Sequence, residues 1–156
     1  MLSATITGTI ISRYEETISA IPLLVSFIPM LMDTGGNCGT QSSTLVIRGI
    51  ATDEIRFSDL FKVAFKESRI ALIVGAALAA VNGLRIIVMY QDPRLAILLG
   101  VSLMCTVYLA ELIGCMLPLL AKKVHLDPAI MAAPLITTIV DTCSIIIYFA
   151  IATHLL

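Results

Sequence analysis

The chain closes on a long apolar run, Ala129–Leu156, that a single acidic residue, Asp141, interrupts. Coiled as a helix at about 1.5 Å per residue, such a run crosses the roughly 30 Å hydrocarbon core of a bilayer. A carboxylate near the middle of a membrane helix costs about 2.5–3.5 kcal/mol on insertion scales and is normally turned toward protein or water. At helical spacing Pro134, Thr137, Asp141, Ser144 and Tyr148 recur by alternating threes and fours, so they share one face. Two readings follow: an aspartate hydrogen-bonded to a neighbouring helix, or an ion site.

Two further runs, Ile70–Tyr90 and Leu95–Ala121, are also long enough to span, and Ala20–Ile50 is a fourth, more polar one. With 58% hydrophobic and 13% charged residues and a mean hydropathy of +1.00, the chain reads as an integral membrane protein. Met1–Ser12 would reach only about 18 Å as a helix and is predicted as a short or partial first span. It has neither the basic start nor the cleavage site of a signal peptide. The expectation is an all-α protein with about five transmembrane helices, residues 1–156 forming one membrane domain without a cytosolic sensor.

Basic residues divide unevenly between the connecting loops. With the N-terminus cytoplasmic, Arg48, Arg56, Lys62, Lys66, Arg69, Lys122 and Lys123 are inside and Arg13, Arg85 and Arg94 outside. The positive-inside rule favours that orientation, which puts the C-terminus outside. These cations follow membrane edges and lack stacking aromatics, so nucleic acid is not implied. Cys38, Cys105, Cys115 and Cys143 fall within predicted spans and read as small buried residues, while His125 and His154 sit at membrane edges.

The second polar face lies in Ala20–Arg48. Pro22 and Pro29 are expected to loosen its first half. Asp33, Asn37, Gln41, Thr44 and Arg48 then follow at spacings of four, four, three and four. Gly35, Gly36 and Gly39 beside them permit close backbone approach. A packing seam glued by amides is the plain alternative, but five polar side chains on one face favour a hydrated path. Gly49–Arg69 reads as an amphipathic helix, capped by Ser58, that lies along the inner membrane surface as an anchor. Ala71, Gly75 and Ala79 form a small-residue seam in the next span. Glu111, on one face with Tyr108 and Cys115, is either another ion ligand or a carboxyl bonded to a neighbouring helix.

Asp33, Glu111 and Asp141 thus sit in predicted spans with almost no basic partner, which implies cations or protons. Mg²⁺ takes oxygen ligands and keeps its waters, so one or two carboxylates beside amides and hydroxyls suit it. Metals that seek thiolate or imidazole find no cluster. Two copies about a two-fold axis would double every ligand around one pore.

FIPMLMDTGGNCGTQSSTLVIRGIAT (Phe27–Thr52) closely resembles the signature of the MgtE magnesium channel family, and APLITTIVDTCSIIIYF (Ala133–Phe149) resembles its last membrane helix. Leu126–Ala129 (LDPA) also fits, and the similarity runs through the whole chain. The resemblance implies a homodimer in the lipid bilayer, two-fold symmetric, with a central pore lined by the second and fifth helices. It also implies that Asp141 holds a largely hydrated Mg²⁺ with Thr137 beside it. Pro134, Thr138 and Ser144 complete the candidate ion site; Asp33, Gly36, Asn37, Gln41, Thr44 and Glu111 line or support the pore. Many members add cytosolic Mg²⁺-sensing domains, which these residues do not supply. A Na⁺-coupled Mg²⁺ exchanger is the nearest alternative, because solute-carrier relatives share the motif. Asp33-Thr34-Gly35 spells the DTG of aspartic proteases, but here it lies in an apolar helix, which argues against an enzyme.

Overall fold

The computed structural model describes residues 2–155, and side chains throughout except at residues 2–4, 20 and 130–133. Among the described residues the elements are helical: α1 (Leu2–Arg13), α2 (Glu15–Ala20), α3 (Ile28–Ala51), α4 (Leu60–Tyr90), α5 (Pro93–Lys123) and α6 (Pro128–Leu155), with 3₁₀ turns at Pro22–Phe27 and Phe57–Asp59. Among the described residues three helical stretches, Phe57–Tyr90, Pro93–Lys123 and Pro134–Leu155, are long and apolar enough to cross a membrane. At 24 residues α3 has the length, but its polar face keeps it out of that group.

Local chemistry sets the boundaries. Gln91 ends α4 in the left-handed region at φ 54°. Asp92 then caps α5, its Oδ1 accepting the N–H groups of Arg94 (2.9 Å) and Leu95 (3.2 Å), with Pro93 in the first turn where no N–H is needed. Asp127 repeats the device before α6 by accepting from Ala129 N–H at 2.9 Å. Between α3 and α4, the Gly49 carbonyl accepts from both Glu54 and Ile55 N–H at 2.9 Å, and the Ile55 side chain folds over Gly49.

Two expectations are corrected. The prolines of the second span do not loosen one long helix. Pro22 opens a separate 3₁₀ turn and Pro29 sits in the first turn of α3, so the chain restarts at Ile28. Nor is there a separate surface helix before the third span. From Leu60 to Tyr90 the helix is unbroken, about 46 Å long at 1.5 Å per residue, because its N-terminal half contains no proline to stop it. Its start is fixed by Asp59, whose Oδ2 accepts from Arg56 N–H at 3.2 Å, and not by Ser58.

α5 is the central helix. It packs along α3, α4 and α6, and α3 also lies against α6. Leu24, Phe27, Leu31, Ile86, Leu98, Leu99, Tyr148 and Phe149 fill one end of the bundle, while Val107, Ala110, Ile136 and Val140 fill its middle. α4 touches protein along one stripe only. Leu72, Ile73, Val81, Leu84, Val88 and Met89 are exposed, as lipid contact requires.

Candidate ion site and its groove

Glycines bring α3 against its neighbours. A Cβ on Gly35 would meet Thr106 Cγ2 at 2.7 Å and Val140 Cγ1 at 2.8 Å. On Gly39 it would meet Ile136 Cγ2 at 2.9 Å and the Ala110 carbonyl at 3.1 Å, and one on Gly114 would collide with the Gly39 carbonyl. Gly36 lies one residue further round the helix. There a Cβ would stand 3.6 Å from Thr137 Cγ2 and 4.0 Å from Asp141 Oδ1, ordinary contact distances. The packed seam therefore ends at Gly36, and an open groove begins.

The groove has two parts. One, of about 270 Å³, is lined by Met32, Asp33, Gly36, Asn37, Thr40, Thr137 and Asp141. The other, of about 470 Å³, is lined by Asn37, Thr40, Gln41, Thr44 and Leu45. Asn37 and Thr40 belong to both, so the two parts join along α3. Of the predicted pore-lining residues, Asp33, Gly36, Asn37, Gln41 and Thr44 line this groove, and Thr137 and Asp141 face it from α6. Asp33, Asn37, Gln41 and Thr44 are exposed, while Asp141 is half-buried.

The hydroxyls share a particular polarity. Thr40 Oγ1 donates to the Gly36 carbonyl (2.7 Å) and Thr44 Oγ1 to the Thr40 carbonyl (2.8 Å). Thr137 and Thr138 both donate to the Pro134 carbonyl, at 3.2 and 2.8 Å. With their protons committed to the helix backbone, the Thr40, Thr44 and Thr137 oxygens offer the groove lone pairs. The outer surface of a hydrated Mg²⁺ presents water protons, so a lining of acceptors and carboxylates matches it. Among the described residues no group of three or more His, Cys, Asp or Glu side chains gathers where it could hold a metal ion. A hydrated cation needs no such cage.

Other predicted residues lie elsewhere. Ser144 is buried, donates to the Val140 carbonyl at 2.6 Å and packs beside Gly35. Tyr148 is buried and donates to the Leu24 carbonyl at 3.0 Å. The face read as one stripe on α6 thus divides: Thr137 and Asp141 open to the groove, while Ser144 and Tyr148 enter the core. Pro134 is exposed, supplies the carbonyl that both threonines use, and with Thr138 does not line the groove. Glu111 lies on the opposite side of α3. Its carboxyl meets that of Glu67, and both side chains are buried. Ser42 Oγ stands 2.9 Å from Glu67 Oε2 and 3.2 Å from the Glu111 carbonyl.

Two residues were not read from the sequence. Thr40 lines both parts of the groove; it stands seven residues, about two turns, after Asp33, and that spacing was the signal that it shares the face. Glu67 falls one turn before Ala71 on the Ala71–Gly75–Ala79 seam, and that spacing was the signal that it turns inward.

The sequence profile of the MgtE family, described as a divalent cation transporter, matches residues 28–151. The magnesium transporter MgtE of Thermus thermophilus is 36% identical over 158 residues, covering 100% of this chain and 34% of the relative. The magnesium transporter MgtE of Bacillus subtilis is 34% identical over 148 residues, 95% of this chain and 33% of the relative. That of Enterococcus faecalis is 33% identical over 151 residues, 94% and 32% respectively. The chain spans about a third of the length of these curated relatives.

Proposed function

The chain belongs to the MgtE family of divalent cation transporters, and we propose that it conducts hydrated Mg²⁺ through a pore completed by a second copy of itself. One observation carries this reading: a polar groove holding Asp33, Asn37, Thr40, Gln41, Thr137 and Asp141 lies open on a membrane protein. Lipid is an unfavourable neighbour for such a surface, because its polar groups would find no partners there. A second copy related by a two-fold axis supplies the missing wall and a second set of ligands. In that arrangement α1 and α3 join the three long apolar helices to give five crossings per chain, with the N-terminus cytoplasmic and the C-terminus outside.

Asp141 is the main ion-holding group. Two such carboxylates facing one another repel until a divalent cation stands between them. Each accepts hydrogen bonds from the waters of the ion, and Thr137 and Thr40 supply further acceptors without stripping its shell. Asn37, Gln41 and Thr44 continue a wet path along α3. The part of the groove lined by Asn37, Thr40, Gln41, Thr44 and Leu45 holds no carboxylate, so the ion can leave as well as enter, which conduction requires. The magnesium transporters named above support Mg²⁺ as the cargo.

The test is Mg²⁺ uptake into liposomes containing the purified chain, with Asp141→Asn alongside. The expected result is Mg²⁺ entry in the parent and its loss in the variant, with both eluting as dimers in mild detergent. Undiminished uptake by the variant, or uptake by a monomer, would overturn the proposal.

A further inference from the structure

Where α5 ends and α6 begins, a second groove of about 380 Å³ opens on the surface, starting one turn beyond Gly114 on α5. Its walls include Leu117, Leu120, Val124, Leu126 and Leu135, with Lys123 at its lip. Leu120, Val124 and Leu126 are 41%, 61% and 50% exposed, so among the described residues the groove presents uncovered apolar surface. Its volume falls within the roughly 300–1,000 Å³ typical of sites for small organic ligands.

The charge at its rim is of one sign. Lys122 and Lys123 are exposed side by side in the last turn of α5. Lys123 Nζ lies 4.4 Å above the centre of the Phe57 ring, which fixes the ammonium at the mouth of the groove. Asp127, the nearest acid along the chain, is turned to the Ala129 N–H. Among the described residues neither lysine meets a carboxylate within ion-pair distance. An apolar trough at a membrane edge, with cations at one end, complements a ligand that is apolar along its length and anionic at its head.

We propose that this groove is a binding site for an anionic phospholipid, one acyl chain lying along Leu117, Leu120 and Leu135 and the phosphate held by Lys122 and Lys123. The lysine stems cover the upper part of the chain while their charges stay at the headgroup level. A neutral phospholipid fills the same trough but gains nothing from a net negative charge.

Native mass spectrometry of the delipidated dimer with added phosphatidylglycerol or phosphatidylcholine tests this. A surface lysine contributes about a fivefold gain toward anionic lipid, so the two together give the parent a preference for phosphatidylglycerol of about tenfold or more. Lys122→Gln/Lys123→Gln, at exposed positions, brings the two lipids close to parity. Val124→Trp, also exposed, fills the trough and lowers retention of both. Parity in the parent, or a preference unchanged in the double variant, overturns the site. So does efficient disulfide cross-linking of Val124→Cys between two copies, which would make the trough an interface.

Discussion

Asp141 stands beside Gly36 with so little between them that a methyl group added to the glycine would meet Oδ1 at 4.0 Å. The acid is therefore backed by bare backbone of α3 and faces the open side of the groove. Gly36→Ala places that methyl at ordinary contact distance, so the fold should hold while the space beside the carboxylate narrows. The expected outcome is Mg²⁺ flux reduced about fivefold, with the thermal midpoint near that of the parent. A large drop in stability with normal flux would show that Gly36 is a packing residue.

Gly114 offers the opposite case. A Cβ there collides with the Gly39 carbonyl, which is backbone and cannot rotate away. Gly114→Ala should cost about 3 kcal/mol, at the upper end of the range for overpacked cores, and should disturb assembly before conduction is considered. Equilibrium unfolding in mixed micelles measures the loss. A stability equal to the parent would mean that α3 and α5 separate without penalty.

Glu111 and Asp141 look alike in the sequence, each one acid within an apolar run, yet they occupy different surroundings. Glu111 meets Glu67 on the side of α3 away from the groove, with Ser42 bridging. Glu111→Gln should leave Mg²⁺ flux within about threefold of the parent, because the amide keeps the size and hydrogen bonding of the buried contact. Loss of flux in a stably folded Glu111→Gln protein would place the pair on the ion path.

Thr40 gives a finer test of how the groove treats its cargo. Its hydroxyl proton goes to the Gly36 carbonyl at 2.7 Å, so what faces the groove is an acceptor. Thr40→Val keeps the shape and removes one acceptor for a water of the ion, worth about 1 kcal/mol, or about fivefold in flux. The thermal midpoint should barely move, since the Gly36 carbonyl keeps its helical partner. Unchanged flux would mean that the ion passes without touching this side of α3.

Much of this arrangement is legible from spacing. The Asp33–Asn37–Gln41–Thr44 stripe and the pair Thr137 and Asp141 emerge from helical periodicity and the cost of polar groups in lipid, and they line one groove. Periodicity cannot say where a stripe stops facing its neighbour. Ser144 and Tyr148 continue the α6 stripe, but α6 there crosses Gly35 and the Pro22–Phe27 turn, and packing turns both inward. Glu67 was hidden for a related reason: the charged composition of Gly49–Arg69 suggests a surface helix, whereas the small residues that follow carry the same face into the bundle. Thr40, two turns after Asp33, lies on the same face and lines the groove beside Gln41.

The final prediction separates an ion-holding Asp141 from one that merely ties helices together. A ligand that binds only the folded protein stabilises it by RT ln(1 + [L]/Kd), about 2.7 kcal/mol at a concentration of 100 Kd. If Asp141 holds Mg²⁺, the parent's thermal midpoint rises as Mg²⁺ is added, and Asp141→Asn abolishes that rise along with at least about a hundredfold of flux, since charge-assisted hydrogen bonds to the ion's waters are lost on both copies. In Mg²⁺-free buffer the variant should be as stable as the parent or more so, because two facing carboxylates no longer repel. Asp141→Glu retains the charge one methylene further into the groove, so it should keep part of both the flux and the Mg²⁺-dependent rise. A helix-tying aspartate forecasts the reverse pattern: Asp141→Asn less stable without Mg²⁺, still stabilised by Mg²⁺ and still conducting. Scanning calorimetry and flux on the same three preparations distinguish the two, and a Mg²⁺-dependent rise that survives in Asp141→Asn would remove Asp141 from the ion site.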